Sequence, residues 1–168
     1  ATHDHKRGED TRARLAVLSD RAPWLASRLE HWRELAEPLR EPLDDGVAPS
    51  PGDEYMLLQT LLGTWPLGLE VHDHQGLEQY AERVRQWQQK ALREAKLRSS
   101  WNAPNEAYEA SCVRYLDGLL LNVDHLQLRR PVADAAQLIS CPGVLTRLGQ
   151  TLMRMTVPGV PDLYQGDA

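Results

Sequence analysis

The stretch LEQYAERVRQWQQKALREAKL, residues 77–97, decides the fold class. Leu77, Tyr80, Val84, Trp87 and Ala91 recur at steps of three and four, which puts them on one stripe of an α-helix and leaves the charged residues on the other. Apolar residues elsewhere keep the same period. A first helix is predicted from Glu9 or Asp10, burying Leu15 and Leu18. A second follows Pro23, with Leu25, Leu29, Trp32 and Ala36 on one face, until Pro38 and Pro42 stop it. EPLDDGVAPSPG (41–52) reads as a loop by composition, and Asp53 as the N-cap of a third helix carrying Met56, Leu57, Thr60 and Leu61. That helix ends at GTWP (63–66), and LGLEVHDHQG (67–76) is a second linker.

Beyond residue 97, Asn102 and Pro104 form a cap and first-position pair for a helix that turns Tyr108, Cys112, Tyr115 and Leu119 inward. Two shorter helices are expected near 132–140 and 143–155, divided by Pro142-Gly143. Strand character is confined to the first residues and to VPDLYQ (160–165). The expectation is an all-α chain, an irregular helical bundle with odd, extended ends.

Composition narrows the function. The chain has 168 residues, 42% hydrophobic and 26% charged, with a net charge of -5 and no long basic run, so nucleic acid is not an expected partner. No apolar run approaches the roughly 20 residues of a membrane span. Cys112 and Cys141 match neither a redox pair nor a zinc pattern, so two reduced thiols in a cytoplasmic protein are expected. His3-Asp4-His5 and His72-Asp73-His74 could each offer two imidazoles to a metal in an extended segment. Nothing in the sequence demands that the two loops meet, and solvated surface histidines are the favoured reading of both, so neither a metal nor a cofactor is expected.

The aromatic set is five Trp, five Tyr and no Phe. Trp32 and Trp87 fall on apolar stripes and belong to the core. Trp65 and Trp101 sit in loops, where exposure and sugar binding are the reading. SWNAPNEAYE (100–109) carries more polarity than a helix start needs, in Asn105, Glu106 and Tyr108; first-turn dipole pairing and ligand binding stand level as readings. Asp4 and Lys6 lie two apart on one face of an extended segment, where the cation keeps the carboxylate ionised.

Four ordered stretches are more specific. THDHKRGEDTRARLAVLSD (2–20), DEYMLLQTLLGTWP (53–66), KALREAKLRSSWNAPNEAYE (90–109) and PGVPDLYQG (158–166) together resemble the maltooligosyl trehalose synthase family of the α-amylase superfamily, over essentially the whole chain. The resemblance implies that THDHKR follows the seventh strand of a catalytic (β/α)8 barrel and that PGVPDLYQG belongs to the eighth. Residues 1–8 would then be a barrel strand end with its catalytic loop. Residues 9–156 would be a helical subdomain inserted in the barrel, and 157–168 the start of the last strand. On this reading the chain is a fragment, with the missing barrel as its partner and a maltooligosaccharide as the substrate.

The resemblance implies retaining chemistry that isomerises the reducing-end α-1,4 linkage to α,α-1,1, with a nucleophile and a general acid that lie outside this chain. The fragment alone is therefore expected to be inactive. Asp4 matches the superfamily's third carboxylate and His3 the neighbouring hydroxyl-binding histidine. Lys6 is implied near the reducing-end glucose, and Arg7 in ordering the loop. His5 and Gly8 depart from the family's THDTKRSED, and Asp167-Ala168 from its usual Thr-Glu. Trp101, Asn105, Glu106 and Tyr108, with Asp162, Tyr164 and Gln165, are candidates for a wall that excludes water and retains the freed glucose. A helical protein-interaction domain without catalysis, or part of an amylase-type α-glucan hydrolase, are the alternatives.

Overall fold

In the computed structural model, residues 7–160 are described. Among them the chain runs α1 (Glu9–Val17), α2 (Ala22–Leu35), β1 (Glu41–Leu43), β2 (Gly46–Ala48), α3 (Pro51–Thr64), α4 (His74–Ala95), α5 (Glu106–Leu120) and α6 (Leu126–Thr156), with short 3-10 turns between. The expected all-α bundle is what forms. The expected strands at the two ends fall almost wholly outside the described residues.

The core is built by the predicted stripes. Leu57, Leu58, Leu61 and Leu62 of α3 meet Leu77, Tyr80 and Val84 of α4, Tyr115, Leu116 and Leu119 of α5, and Val132, Ala136 and Ile139 of α6. Helix α1 lies between α3 and α6 and packs closest at two glycines. A Cβ on Gly63 would sit 2.7 Å from Thr11 Cγ2, and one on Gly143 would sit 2.7 Å from Arg14 Cγ and 3.0 Å from its Cα. Their missing side chains let the backbones approach. Arg147 Nε then reaches Glu9 at 3.4 Å and Arg154 reaches Glu9 at 2.7 Å, locking the same pair of helices at their rim.

Four local expectations are corrected. Residues 41–48 are not loop but an antiparallel hairpin with Glu41 opposite Ala48 and Leu43 opposite Gly46; Asp44-Asp45 form its two-residue turn, and Gly46 takes a positive φ of 128°. The N-cap of α3 is Ser50, whose hydroxyl accepts the Asp53 N–H at 3.2 Å and donates back to the Asp53 carboxylate at 2.7 Å. Asp53 is thus the third helical residue, partnering the cap. Asn105 rather than Asn102 caps α5.

The fourth correction is that α6 is one helix through both Pro131 and Pro142. A proline inside a helix costs roughly 3 kcal/mol and one hydrogen bond. Here burial of Val132, Ala136 and Ile139 before Pro142, and the Gly143–Arg14 contact after it, hold the two halves in line.

Candidate functional site

His3, Asp4, His5 and Lys6 at one end, and Asp162, Tyr164 and Gln165 at the other, lie outside the described residues. Arg7 is the first candidate the structure describes, and it is turned onto α3. Its guanidinium donates to Gln59 Oε1 at 3.4 Å and to Thr60 Oγ1 at 3.4 Å. Burial, partly countered by Tyr55, lowers the Arg7 pKa from its ordinary value. A guanidinium starts high enough to remain a cation regardless. Arg7 therefore ties the start of the chain to α3.

The second candidate group sits where α4 turns into α5. Helix α4 ends at Ala95, and Lys96 takes a left-handed φ of 56° that reverses the chain. The next loop is tied to itself and to both helices. The Ser100 N–H donates to the Ala103 carbonyl at 3.2 Å and the Ala103 N–H to the Ser100 hydroxyl at 3.1 Å. The Asn105 N–H donates to the Ser99 hydroxyl at 3.1 Å, and that hydroxyl in turn donates to Glu109. Arg93 grips the same carboxylate with two bonds, of 2.8 and 2.7 Å. Such a fork is directional as well as strong. The Arg93 hydrogen bond holds the Glu109 carboxyl below its usual range, so the clamp stays charged.

Trp101 stands on this clamp. It is 53% exposed, and the Arg93 guanidinium lies 5.0 Å from its ring centre. A large apolar ring held in water by a fixed cation is a preorganised surface. Glu106 is also exposed. Asn105 is half-buried and spends its side-chain oxygen on the Tyr108 N–H at 3.1 Å. Tyr108 points into the interior, where its hydroxyl donates to Asp53 and accepts the Ser50 N–H at 2.8 Å. Burial and the Asp53 bond push its pKa well above the ordinary phenol value, so it remains a donor. The structure thus presents Trp101 and Glu106 outward, while Asn105 and Tyr108 anchor α5. Arg93 and Glu109 were not among the sequence-level candidates. The sequence places them on two successive helices, sixteen residues apart, but does not show that the turn between those helices brings them together.

Trp65 is not exposed as expected. It is 2% accessible, its indole N–H donates to the Leu69 carbonyl at 3.1 Å, and its ring meets Tyr80 edge-on at 5.5 Å. The 72–74 segment is not an extended imidazole pair. Asp73 caps α4 by accepting the Gly76 N–H at 2.9 Å, His74 begins that helix, and His72 faces Arg130 at 3.0 Å. Among the described residues no group of three or more His, Cys, Asp or Glu could hold a metal ion, and no helix is long and apolar enough to cross a membrane.

A cleft of about 590 Å³ opens between α2 and α3 and is lined by Glu30, Arg33, Glu34, Arg40 and Tyr55. None of the candidates lines it. A neighbouring cleft of about 340 Å³ shares Tyr55 and reaches Gln59, the residue Arg7 touches.

Over 167 residues the chain is 36% identical to a protein named "Putative maltooligosyl trehalose synthase" in Mycobacterium tuberculosis, in strains CDC 1551/Oshkosh and H37Rv. The match spans 99% of this chain. The chain is homologous to one segment of the maltooligosyl trehalose synthases. It spans only 19% of the length of those curated relatives. Solved structures agree. A maltooligosyl trehalose synthase matches 94% of the chain with a TM-score of 0.75 at 25% identity, and the chain covers 19% of it. A protein described as DSM5389 glycosyltrehalose synthase matches 95% with a TM-score of 0.73 at 30% identity, again with 19% of its own chain covered. No family model matches the chain.

Proposed function

We propose that this chain is the helical subdomain of a maltooligosyl trehalose synthase, and that the protein carrying it converts the reducing-end α-1,4 linkage of a maltooligosaccharide into α,α-1,1. The observation that carries this reading is the match over 167 residues to a relative of that name, supported by a solved structure of that name that covers 94% of the chain. On this reading 1–8 and 157–168 are ends of barrel strands and 9–156 is the subdomain.

In this reading a carboxylate elsewhere in the polypeptide attacks the anomeric carbon of the penultimate glucose, while an acid protonates the leaving oxygen. The freed glucose stays bound, turns, and attacks the glycosyl-enzyme through its own anomeric hydroxyl; the acid, now a base, accepts that proton. Asp4 grips sugar hydroxyls at the point of cleavage and opposes the developing positive charge, with His3 beside it. Lys6 holds the reducing-end glucose, and Arg7 orders the loop through its bonds to α3.

Retention of the freed glucose is the task of the helical wall. Trp101 offers a ring face and Glu106 a carboxylate, Asp162, Tyr164 and Gln165 line the other side, and Asn105 and Tyr108 act by holding α5 in place. No cofactor takes part, and the reduced thiols suit a cytoplasmic protein.

The test is to incubate the longer polypeptide containing this chain with maltohexaose and identify the product by NMR. Accumulation of a non-reducing, trehalose-ended hexasaccharide supports the proposal. Glucose and maltose without any trehalose linkage would assign the chain to a hydrolase. The 168-residue chain alone, lacking nucleophile and acid, leaves maltohexaose unchanged.

A further inference from the structure

The cleft between α2 and α3 is lined by side chains that the fold leaves unspent. Glu30, Arg33 and Glu34 stand at helical spacing on α2, and Tyr55 and Leu58 on α3, so two helix faces meet across it. Leu58 is 1% exposed and closes the floor, while the Tyr55 ring is 42% exposed. The volume, about 590 Å³, falls among clefts that hold small molecules, about 300–1,000 Å³.

Its cations are fixed from within the core. Arg33 donates through Nε to Glu54 at 3.1 Å, and Arg40 donates to the same buried carboxylate at 2.8 Å. The two Nη groups of Arg33 make no hydrogen bond among the described residues, and its side chain is 47% exposed. Glu30 and Glu34 are exposed and form no ion pair among the described residues. One positioned donor, two free carboxylates and a ring thus share an apolar floor.

The charges say what kind of ligand fits. Glu30, Glu34 and Glu37 outnumber Arg33 and Arg40, and Glu54 offsets those two further. A phosphate or other anion would be repelled, and a lone cation would leave the Arg33 donors unmet. A neutral polyhydroxylated ligand satisfies both sets, because each hydroxyl donates and accepts. The C–H face of a sugar ring suits Tyr55, an apolar body with a polar tip.

We propose that this cleft binds an oligosaccharide, a length of α-1,4-glucan, with Tyr55 stacked on one ring and Arg33, Glu30 and Glu34 bonded to its hydroxyls. The choice of glucan rests on the reading above; the choice of a neutral sugar does not. The adjoining cleft of about 340 Å³ shares Tyr55 and reaches Gln59, which accepts from Arg7. From Pro51 to Gln59 a bound chain has about 12 Å of α3 to lie along.

The experiment is nitration of Tyr55 by tetranitromethane in the longer polypeptide, followed by peptide mass spectrometry with and without maltohexaitol. That probe is maltohexaose reduced at its reducing end, so it is not isomerised. Saturating maltohexaitol should slow nitration of Tyr55 by about tenfold or more. Glu30→Gln with Glu34→Gln should abolish that protection while leaving the sugar-free rate unchanged, and Arg33→Met should do the same. An unchanged rate in the sugar overturns the proposal, and so does protection that survives in both variants. Equal protection by inorganic phosphate would reassign the cleft to an anion. A Tyr55 that reacts only in urea would show the cleft closed by the rest of the polypeptide, which also overturns it. Trehalose-ended product from maltohexaose with Tyr55 unprotected leaves the proposed reaction standing and removes only this site. Protection without such product keeps the site and removes the reaction.

Discussion

The hydroxyl of Tyr115 donates to the carboxylate of Glu54 at 2.6 Å, joining α5 to α3 inside the core. The same carboxylate accepts from Arg33 at 3.1 Å and from Arg40 at 2.8 Å, so one buried acid gathers α2, the following turn, α3 and α5. Burial, with the Glu54 charge beside it, raises the Tyr115 pKa well above the ordinary phenol value and keeps it a donor. Tyr115→Phe should cost about 1–2 kcal/mol, the loss of one bond to a charged group. Glu54→Ala should cost more, about 3 kcal/mol, because it leaves the Tyr115 hydroxyl without its partner in the core and takes the buried partner from Arg40, which keeps only Glu37 and the Arg33 carbonyl. Urea unfolding of the two variants checks the order; equal midpoints would show the acid is not the hub.

Gly143 should tolerate no side chain. Even Gly143→Ala drives a methyl into Arg14 at a backbone distance of 3.0 Å, and overpacking of this kind costs about 1–3 kcal/mol. The same change at Gly149, where a Cβ meets nothing within 4 Å, should be neutral or slightly stabilising. Thermal melts of the pair separate a packing role from a helix-breaking one.

The hairpin gives a pH dependence. Arg114 at 2.6 Å and Ser111 at 2.6 Å lower the Glu41 pKa to about 2. The folded value lies below the unfolded one of about 4.3, so this contribution is complete above about pH 5 and is lost as pH falls toward 2. Arg114 is more than half exposed, so solvent screening limits the gain to below about 1 kcal/mol. Glu41→Gln should unfold slightly earlier than the parent at pH 7, and the gap should close by about pH 2. A gap that stays constant across that window would show that the carboxylate's charge is not its source.

How far the molecule can be read from its residues depends on range. The stripes of α4 and α5 are legible because Leu77 to Ala91 and Tyr108 to Leu119 carry their own period. The continuity of α6 is not. Pro142-Gly143 is a stop by local chemistry, and only Arg14, more than a hundred residues earlier, reveals that Gly143 is a contact. Asp53 and Asn102 are both plausible caps; Ser50 and Asn105 win because the helices begin where their faces can reach the core. Trp65 looks exposed beside Pro66 until Leu69 and Tyr80 fold over it. At the candidate site, Trp101 is legible as an exposed ring, but the Arg93–Glu109 clamp beneath it depends on how the turn between the two helices closes, which the residue pattern does not give.

Trp101 should matter through binding. In the longer polypeptide, Trp101→Ala should raise KM for maltohexaose by about three- to tenfold with a smaller change in kcat, the scale of one ring contact. Arg93→Met should move KM the same way but less, by freeing the ring without removing it. Steady-state kinetics on both variants checks this. A kcat loss with unchanged KM would place Trp101 elsewhere.

The most direct test of the account is the turnover of Asp4→Asn in the longer polypeptide, measured as trehalose-ended product from maltohexaose against wild type. Removing a carboxylate that opposes the developing charge should lower kcat by about 10²–10³-fold while KM changes little. Near-normal turnover in Asp4→Asn would contradict the placement of residues 2–7 in the catalytic site.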